Sequence, residues 1–237
     1  MSETRSHPEQ HSEKTIHKLN VLRASVLGAN DGIVSIAGLV LGVAGATNST
    51  SIILTAGIAG IIAGSISMAA GEYVSVSSSR DSEKALLKKE RWELKEFPDR
   101  ELEELIGIYE KKGLSKKTAT IVAKELTEHD AFKAHVDAEL NIDPDNLTSP
   151  WQAAFASAAS FLVGALIPLI AILILPSETK VLITFGAVIV SLVITGILSA
   201  RVSGANLLHA TARVVIGGTL AMVVTYSIGK LFGVSGI

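Results

Sequence analysis

Two pairs of glutamates in the middle of the chain have a spacing that suits metal binding. Glu90 and Glu93 are three residues apart, as are Glu101 and Glu104, and residues at this spacing share one face of a helix. Pro98 stands between the pairs, so a helical hairpin could bring the four carboxylates together. Because converging carboxylates repel each other, they would need a cation, and oxygen ligands of this kind suit a divalent metal.

His135 and Glu139 could complete this site, because they are four residues apart and also share a helix face. The alternative is that the glutamates form a solvated helix face and pair with the neighbouring bases, which are Lys88, Lys89, Arg91 and Lys95. Spacing alone leaves both interpretations open.

Three further candidates lie in apolar surroundings. Asp31 is the only charged residue between Arg23 and Glu72, and a carboxylate inside a membrane costs about 3 kcal/mol and usually has a function. Met68 and Glu72 are four residues apart, and a thioether with carboxylates suits a borderline ion such as Fe²⁺ better than Mg²⁺ or Ca²⁺. The alternatives are that Asp31 snorkels or caps a helix near the interface, that Met68 only packs, and that Glu72 marks the membrane interface.

Five apolar segments predict the elements that must position these residues. A bilayer core needs about 20 apolar residues per helix, and the segments 24–46, 52–76, 153–175, 181–200 and 208–229 meet that length. Charge is concentrated elsewhere, since residues 80–147 hold 17 of the 23 acids and 13 of the 21 bases. Hydrophobic residues make up 48% of the chain, which fits a membrane protein with a charged portion better than a globular enzyme. With no cysteine, disulfides and thiolate metal sites are excluded.

We therefore predict an all-α polytopic membrane protein with five transmembrane helices. Residues 1–16 form a disordered polar tail, 17–79 hold helices 1 and 2, and 150–237 hold helices 3 to 5. Residues 80–149 form a carboxylate-rich, metal-binding insert of three to four helices. Its first helix continues span two through residue 96 and breaks at Pro98. Gly113 and Ser115 separate the next two helices, and residues 131–140 form the last one.

The basic residues predict the orientation of the chain. Bases precede span one, fill the insert and flank the turn between spans four and five, where Arg201 and Arg213 stand. Five spans put these regions on one side, which the positive-inside rule makes cytoplasmic. The net charge of -2 gives no argument for nucleic acid. The GxxxG pairs Gly38/Gly42 and Gly60/Gly64 suggest close helix packing, within one chain or between two copies.

Three parts of the chain together resemble the vacuolar iron transporter family. They are the stretch GANDGIVS from Gly28 to Ser35, the stretch SISMAAGEYVSVSSSRD from Ser65 to Asp81, and the paired-glutamate insert. The resemblance covers about residues 17–235. It implies a homodimer of five-helix subunits, with an ion path between the subunits and an insert that binds metal through glutamates. It also implies export of Fe²⁺, often with Mn²⁺, from the cytosol in exchange for protons.

Carried over residue by residue, the resemblance assigns roles to particular positions. It implies metal binding in the insert by Glu90, Glu93, Glu101, Glu104 and Glu139, and intramembrane ligands at Asp31 and Met68. Plant members have a carboxylate where this chain has Gly60, and Glu72, one helical turn beyond Met68, is a candidate substitute. Plant members also have methionines where His135 and Val136 stand, and of these two only His135 could ligate a metal.

We predict a proton-coupled exporter of Fe²⁺ and Mn²⁺ that is not an enzyme and has no prosthetic group. Its partners would be divalent metal ions, protons, the bilayer and a second copy of the chain. The multi-pass protein would lie in the plasma membrane of a prokaryote or a vacuolar-type membrane of a eukaryote. One alternative, a ferritin-like iron oxidase, needs Glu-x-x-His motifs that the insert lacks. The other, a metal sensor that transports nothing, would need no ligand inside the membrane.

Overall fold

A computed structural model describes residues 13–174 and 179–235, and these residues are helical apart from short connections. They form seven α-helices: α1 (Glu13–Ala46), α2 (Thr50–Glu96), α3 (Pro98–Lys111), α4 (Lys116–His135), α5 (Pro150–Ile174), α6 (Lys180–Ser203) and α7 (Leu207–Ser235). A π-helical turn, Val136–Leu140, follows α4 directly. Of the predicted tail, residues 1–12 lie outside the described residues and 13–16 begin α1. Residue 175, the predicted end of span three, also lies outside them.

Five of these helices are long and apolar enough to cross a membrane: α1, from Ala24 onward, α2, α5, α6 and α7. This confirms the predicted all-α class and the five spans. Large apolar side chains stand exposed on the outside of these helices, as a bilayer requires and water would penalise. Examples are Leu162, Ile170, Leu182, Val190, Ile216 and Leu220. The chain is therefore a multi-pass membrane protein.

The described chain divides into two compact units, here called the membrane unit and the charged unit. The membrane unit comprises the described residues up to Tyr73 and from Pro150 onward. Helix α1 packs against α5, α6 and α7. Its buried side chains Ile33, Ile36 and Leu41 meet Phe161 of α5 and Leu192 of α6 in one apolar core.

Glycines allow α1 to approach its neighbours closely. A Cβ at Gly32 would collide with the carbonyl oxygen of Phe161, and one at Gly164 with the carbonyl oxygen of Ala29, so α1 and α5 touch backbone to backbone. The predicted GxxxG pairs serve the same purpose within the chain. Gly38 and Gly42 face Thr225 of α7, and Gly60 and Gly64 face side chains of α1 and α5. These two pairs therefore give no argument for a dimer.

The charged unit, Val74–Ser149, contains the end of α2 together with α3, α4 and the π-helical turn. Pro98 begins α3, where its missing N–H costs no helical hydrogen bond. Gly113 has a φ of +102°, which favours glycine, and ends the segment. The Ser115 hydroxyl accepts a hydrogen bond from the Thr118 N–H at 3.3 Å and caps α4. These positions confirm the predicted break at Pro98, the stop at Gly113 and the cap at Ser115.

Candidate metal centre

Three potential ligands meet inside the charged unit. Each of Glu90, His135 and Glu139 offers a side-chain atom, and these atoms all lie within 4.8 Å of one another. Glu90 is only 3% exposed and His135 is 0% exposed, whereas Glu139 is open to solvent. A site with two buried ligands and one exposed ligand leaves a route by which an ion could enter.

A break in α4 separates the segment that carries His135 and Glu139 from the first part of the helix. Asp130 has φ −160° and ψ 94°, which is outside helical values, and its Oδ1 accepts a hydrogen bond from the Lys133 N–H at 2.9 Å. Asp130 therefore acts as the N-cap of a new helical segment. The segment passes into the π-helical turn and stops at Asn141, whose φ of 51° is left-handed. This break agrees with the separate helix predicted over residues 131–140.

The other predicted glutamates surround this trio. Glu101 Oε2 lies 3.7 Å from His135 Nδ1, and the Glu101 side chain is buried. Glu93 is half-buried and forms an ion pair with Lys89 at 3.0 Å. Glu104 is exposed, yet it is close enough for its charge to act on Glu101, Glu139 and His135. All six residues predicted for this site therefore lie together, with Glu90, His135 and Glu139 at the centre.

Burial and mutual repulsion shift the pKa values of the central groups. Burial, followed by the charges of Glu139, Glu101 and Glu93, raises the pKa of Glu90 to about 7. Burial is also the main cause that raises the pKa of Glu101 and of Glu139. Burial lowers the pKa of His135, against the opposing effect of Glu104, and so favours the neutral imidazole that can bind a metal.

Several buried atoms at the centre lack hydrogen-bond partners. His135 Nδ1 lies 3.1 Å from Glu90 Oε1, but the two atoms form no hydrogen bond. Neither of these atoms, nor His135 Nε2, has a hydrogen-bond partner among the residues that the structure describes. Buried polar atoms are normally paired, and a cation would satisfy the carboxylate oxygen and one imidazole nitrogen together. The donor set of one nitrogen and several carboxylate oxygens fits a divalent transition metal.

The membrane candidates are placed differently. Asp31 is exposed on α1, and its Oδ1 accepts a hydrogen bond from the Ser35 hydroxyl at 3.1 Å. Met68 on α2 is partly buried against the apolar core, and Glu72 is half-buried. Within the described part of the chain, no cluster of three acidic or histidine ligands forms around Asp31. These residues stay predictions as ligands of an ion path.

Two buried oxygens near these candidates could not be predicted from the sequence. Asn30 Oδ1 and Ser65 Oγ are buried and have no hydrogen-bond partner among the described residues. Asn30 precedes Asp31, and Ser65 is three residues before Met68, so both stand inside the motifs quoted above. At Gly60, an added Cβ would collide with the Leu39 side chain, so a carboxylate there would require Leu39 to move.

Comparison with known proteins gives one consistent result. The model of the VIT family matches residues 22–230. A vacuolar iron transporter of Acanthamoeba castellanii is 42% identical over 225 residues, which cover 94% of this chain and 82% of that protein. Vacuolar iron transporter homolog 3 of Arabidopsis thaliana is 36% identical over 214 residues, covering 90% and 83%. Vacuolar iron transporter homolog 1 of Oryza sativa subsp. japonica is 34% identical over 217 residues, covering 91% and 75%.

Proposed function

The chain belongs to the VIT family, and we propose that it carries Fe²⁺, and also Mn²⁺, out of the cytosol in exchange for protons. The names of the relatives support iron as the cargo, because each is called a vacuolar iron transporter or a homolog of one. Members of the family are transporters, which confirms the prediction that the chain is not an enzyme and removes the ferritin-like oxidase from consideration.

The observation that carries the proposal is the buried cluster of Glu90, His135 and Glu139. Its atoms lie within 4.8 Å of one another, and two of its three side chains are hidden from solvent. Such a cluster is costly to fold without an ion, because burial and repulsion both oppose ionised carboxylates. In the proposal, the charged unit faces the cytosol and captures the metal there.

Asp31 supports the transport step of the proposal. It is the only acid in the apolar part of α1, and a carboxylate facing lipid would be expensive. In the proposal, a second copy of the chain covers the exposed Asp31, and an ion path with Met68 and Glu72 lies along this face. Asp31 would take up a proton when it releases a metal ion. The host membrane would be the plasma membrane of a prokaryote or a vacuolar-type membrane.

Flux into liposomes tests the proposal against a sensor that binds metal without moving it. The full chain is reconstituted, Fe²⁺ or Mn²⁺ is added under anaerobic conditions, and an inward or outward pH gradient is imposed. We expect metal flux that depends on the direction of the gradient and that Asp31→Asn reduces at least tenfold. Ser35→Ala is the matched control, because it removes the hydrogen bond to Asp31 and keeps the carboxylate. Undiminished flux in Asp31→Asn would remove Asp31 from the mechanism, and binding without flux would favour the sensor.

A further inference from the structure

His135 is placed unlike an ordinary buried histidine. Its side chain is 0% exposed, yet neither ring nitrogen has a hydrogen-bond partner among the described residues. A histidine that serves only to pack normally pairs at least one nitrogen with a backbone or side-chain group. The groups nearest to its Nδ1 are instead carboxylate oxygens, Glu90 Oε1 at 3.1 Å and Glu101 Oε2 at 3.7 Å.

We infer that His135 sets the metal preference of the cluster, by selecting Fe²⁺, Co²⁺ and Zn²⁺ over Mn²⁺, Mg²⁺ and Ca²⁺. This inference rests on the proposed function, since it concerns the same site. The carboxylates of the cluster provide hard oxygen ligands, which all of these ions accept. His135 is the only histidine that the described residues bring to the cluster. Imidazole binds the later transition metals more strongly than Mn²⁺ and far more strongly than Mg²⁺ or Ca²⁺.

The local backbone explains why His135 can take this role. The break at Asp130 starts a new helical segment, and His135 stands at the junction between α4 and the π-helical turn. π-Helical turns are rare, and single ones occur frequently at functional sites. Here the turn carries Glu139, so the same irregular segment provides both the nitrogen donor and the exposed carboxylate.

Two neutral amides replace the imidazole in the test. In His135→Asn the new amide lies near the former position of Nδ1, and in His135→Gln it lies near that of Nε2. At least one of the two variants should therefore preserve the packing. Circular dichroism and thermal unfolding of the full chain in detergent identify the folded variants. His129→Gln is the matched control, because His129 lies on the same helix, is exposed and is outside the cluster.

Dissociation constants are measured for each metal alone, with Fe²⁺ kept anaerobic. We expect the folded His135 variant to lose about tenfold or more in affinity for Fe²⁺, Co²⁺ and Zn²⁺. Even the loss of a residue that only hydrogen-bonds to a metal ligand typically lowers metal affinity about 10- to 100-fold. Affinity for Mn²⁺, Mg²⁺ and Ca²⁺ should change less than threefold. X-ray absorption of the Zn²⁺ complex should show imidazole scattering in the parent and in His129→Gln, and none in the His135 variant.

The outcomes separate this inference from the proposed function. If all metals weaken equally, or none does, or the parent lacks imidazole scattering, His135 does not set the preference, although transport could still occur. If the parent binds no divalent metal and shows no flux, the proposed function fails and the inference fails with it. Both the proposed function and the inference are supported by a third result. In it, the parent transports Fe²⁺, and the His135 variants transport more Mn²⁺ than the parent does when Fe²⁺ competes.

Discussion

Glu90 and His135 are buried side by side, and burial works against the charged form of each. The pKa of Glu90 is raised to about 7, so the carboxyl group is about half protonated near pH 7. The pKa of His135 is lowered, so its ring is neutral at that pH. A metal needs the carboxylate and the neutral imidazole. Binding of a metal near neutral pH would therefore displace chiefly the proton of Glu90.

We predict that metal affinity of the cluster rises from pH 6 to pH 8. Below the pKa of about 7, the proton on Glu90 competes with the metal, so affinity falls by up to about tenfold per pH unit for one displaced proton. Titration calorimetry of Mn²⁺ in buffers of different ionisation enthalpy measures both the affinity and the protons released. Glu128→Gln, an exposed site on α4, is the control and should keep the slope. An affinity independent of pH between 6 and 8 would contradict the role given to Glu90.

Glu90→Gln should have opposite effects on the metal-free fold and on metal binding. The pKa of Glu90 is raised from its usual 4.5 to about 7, so the folded protein holds this proton more tightly than the unfolded chain does. The resulting contribution to the stability of the fold is complete below pH 4.5 and is lost as the pH rises through about 7. At pH 8 the neutral amide removes the repulsion and should stabilise the metal-free protein by roughly 1–3 kcal/mol. The same change removes a ligand, so metal affinity should fall at least tenfold. Thermal unfolding with and without Mn²⁺ measures both, and a loss of stability without metal would contradict the prediction.

The sequence predicted which residues gather at this site, because helical spacing fixes which carboxylates share a face. Glu90, Glu93, Glu101 and Glu104 follow that rule on either side of Pro98. Spacing could not predict that only some of them are buried, since burial depends on how three helices pack. It also could not single out Asn30 and Ser65. Their buried oxygens have no hydrogen-bond partner in the part of the chain that the structure describes, which becomes noticeable only when their neighbours are known.

At the scale of elements, the segment 131–140 depends on the cap at Asp130. The extended backbone at Asp130 and its hydrogen bond to the Lys133 N–H separate this segment from the first part of α4. A polar residue of this type is a recognisable N-cap in the sequence. The π-helical turn that follows has no comparable signal in the sequence, because its extra residue per turn is set by tertiary contacts.

Asp130→Ala should weaken metal binding more than it weakens the fold. Loss of an N-cap costs about 1 kcal/mol, and a continuous α4 would rotate His135 and Glu139 away from Glu90. Ser115→Ala is the matched control, because it removes an equivalent cap at the start of the same helix, far from the cluster in sequence. We expect similar losses in unfolding free energy for the two variants. Metal affinity should fall at least fivefold in Asp130→Ala alone, and equal affinities would contradict the role of the break.

The packing of α1 on α5 depends on glycine at the contact. Gly32→Ala should destabilise the membrane unit, because the new Cβ would collide with the Phe161 carbonyl oxygen and the backbones would have to separate. We expect a loss of several degrees in detergent unfolding, in line with the 1–3 kcal/mol that overpacking usually costs. Gly186→Ala is the control, since nothing lies within 4 Å of its added Cβ. If Gly32→Ala were as stable as Gly186→Ala, the close approach of the two helices would be wrong.

At the scale of the whole molecule, the length of the apolar segments predicted the spans reliably. The glycine patterns did not predict which helices pack together. The bilayer dictates the length of each span, so the predicted start and end of span one, residues 24 and 46, coincide with its apolar helix. Which glycines pack within one chain depends on helix rotation, which the sequence pattern leaves open. The GxxxG pairs were thus ambiguous in the sequence, and they pack within one chain.

Orientation in the membrane can be tested because the chain has no cysteine of its own. Single cysteines are introduced at three exposed positions, Thr50→Cys at the start of α2, Lys112→Cys in the charged unit and Ala205→Cys between α6 and α7. An odd number of spans with basic loops inside predicts that Lys112→Cys and Ala205→Cys share the cytoplasmic side. An impermeant maleimide added to intact cells should therefore label Thr50→Cys at once, and the other two only after permeabilisation. Labelling of Thr50→Cys and Lys112→Cys from the same side would contradict the topology, and with it the proposal that the metal cluster draws its ions from the cytosol.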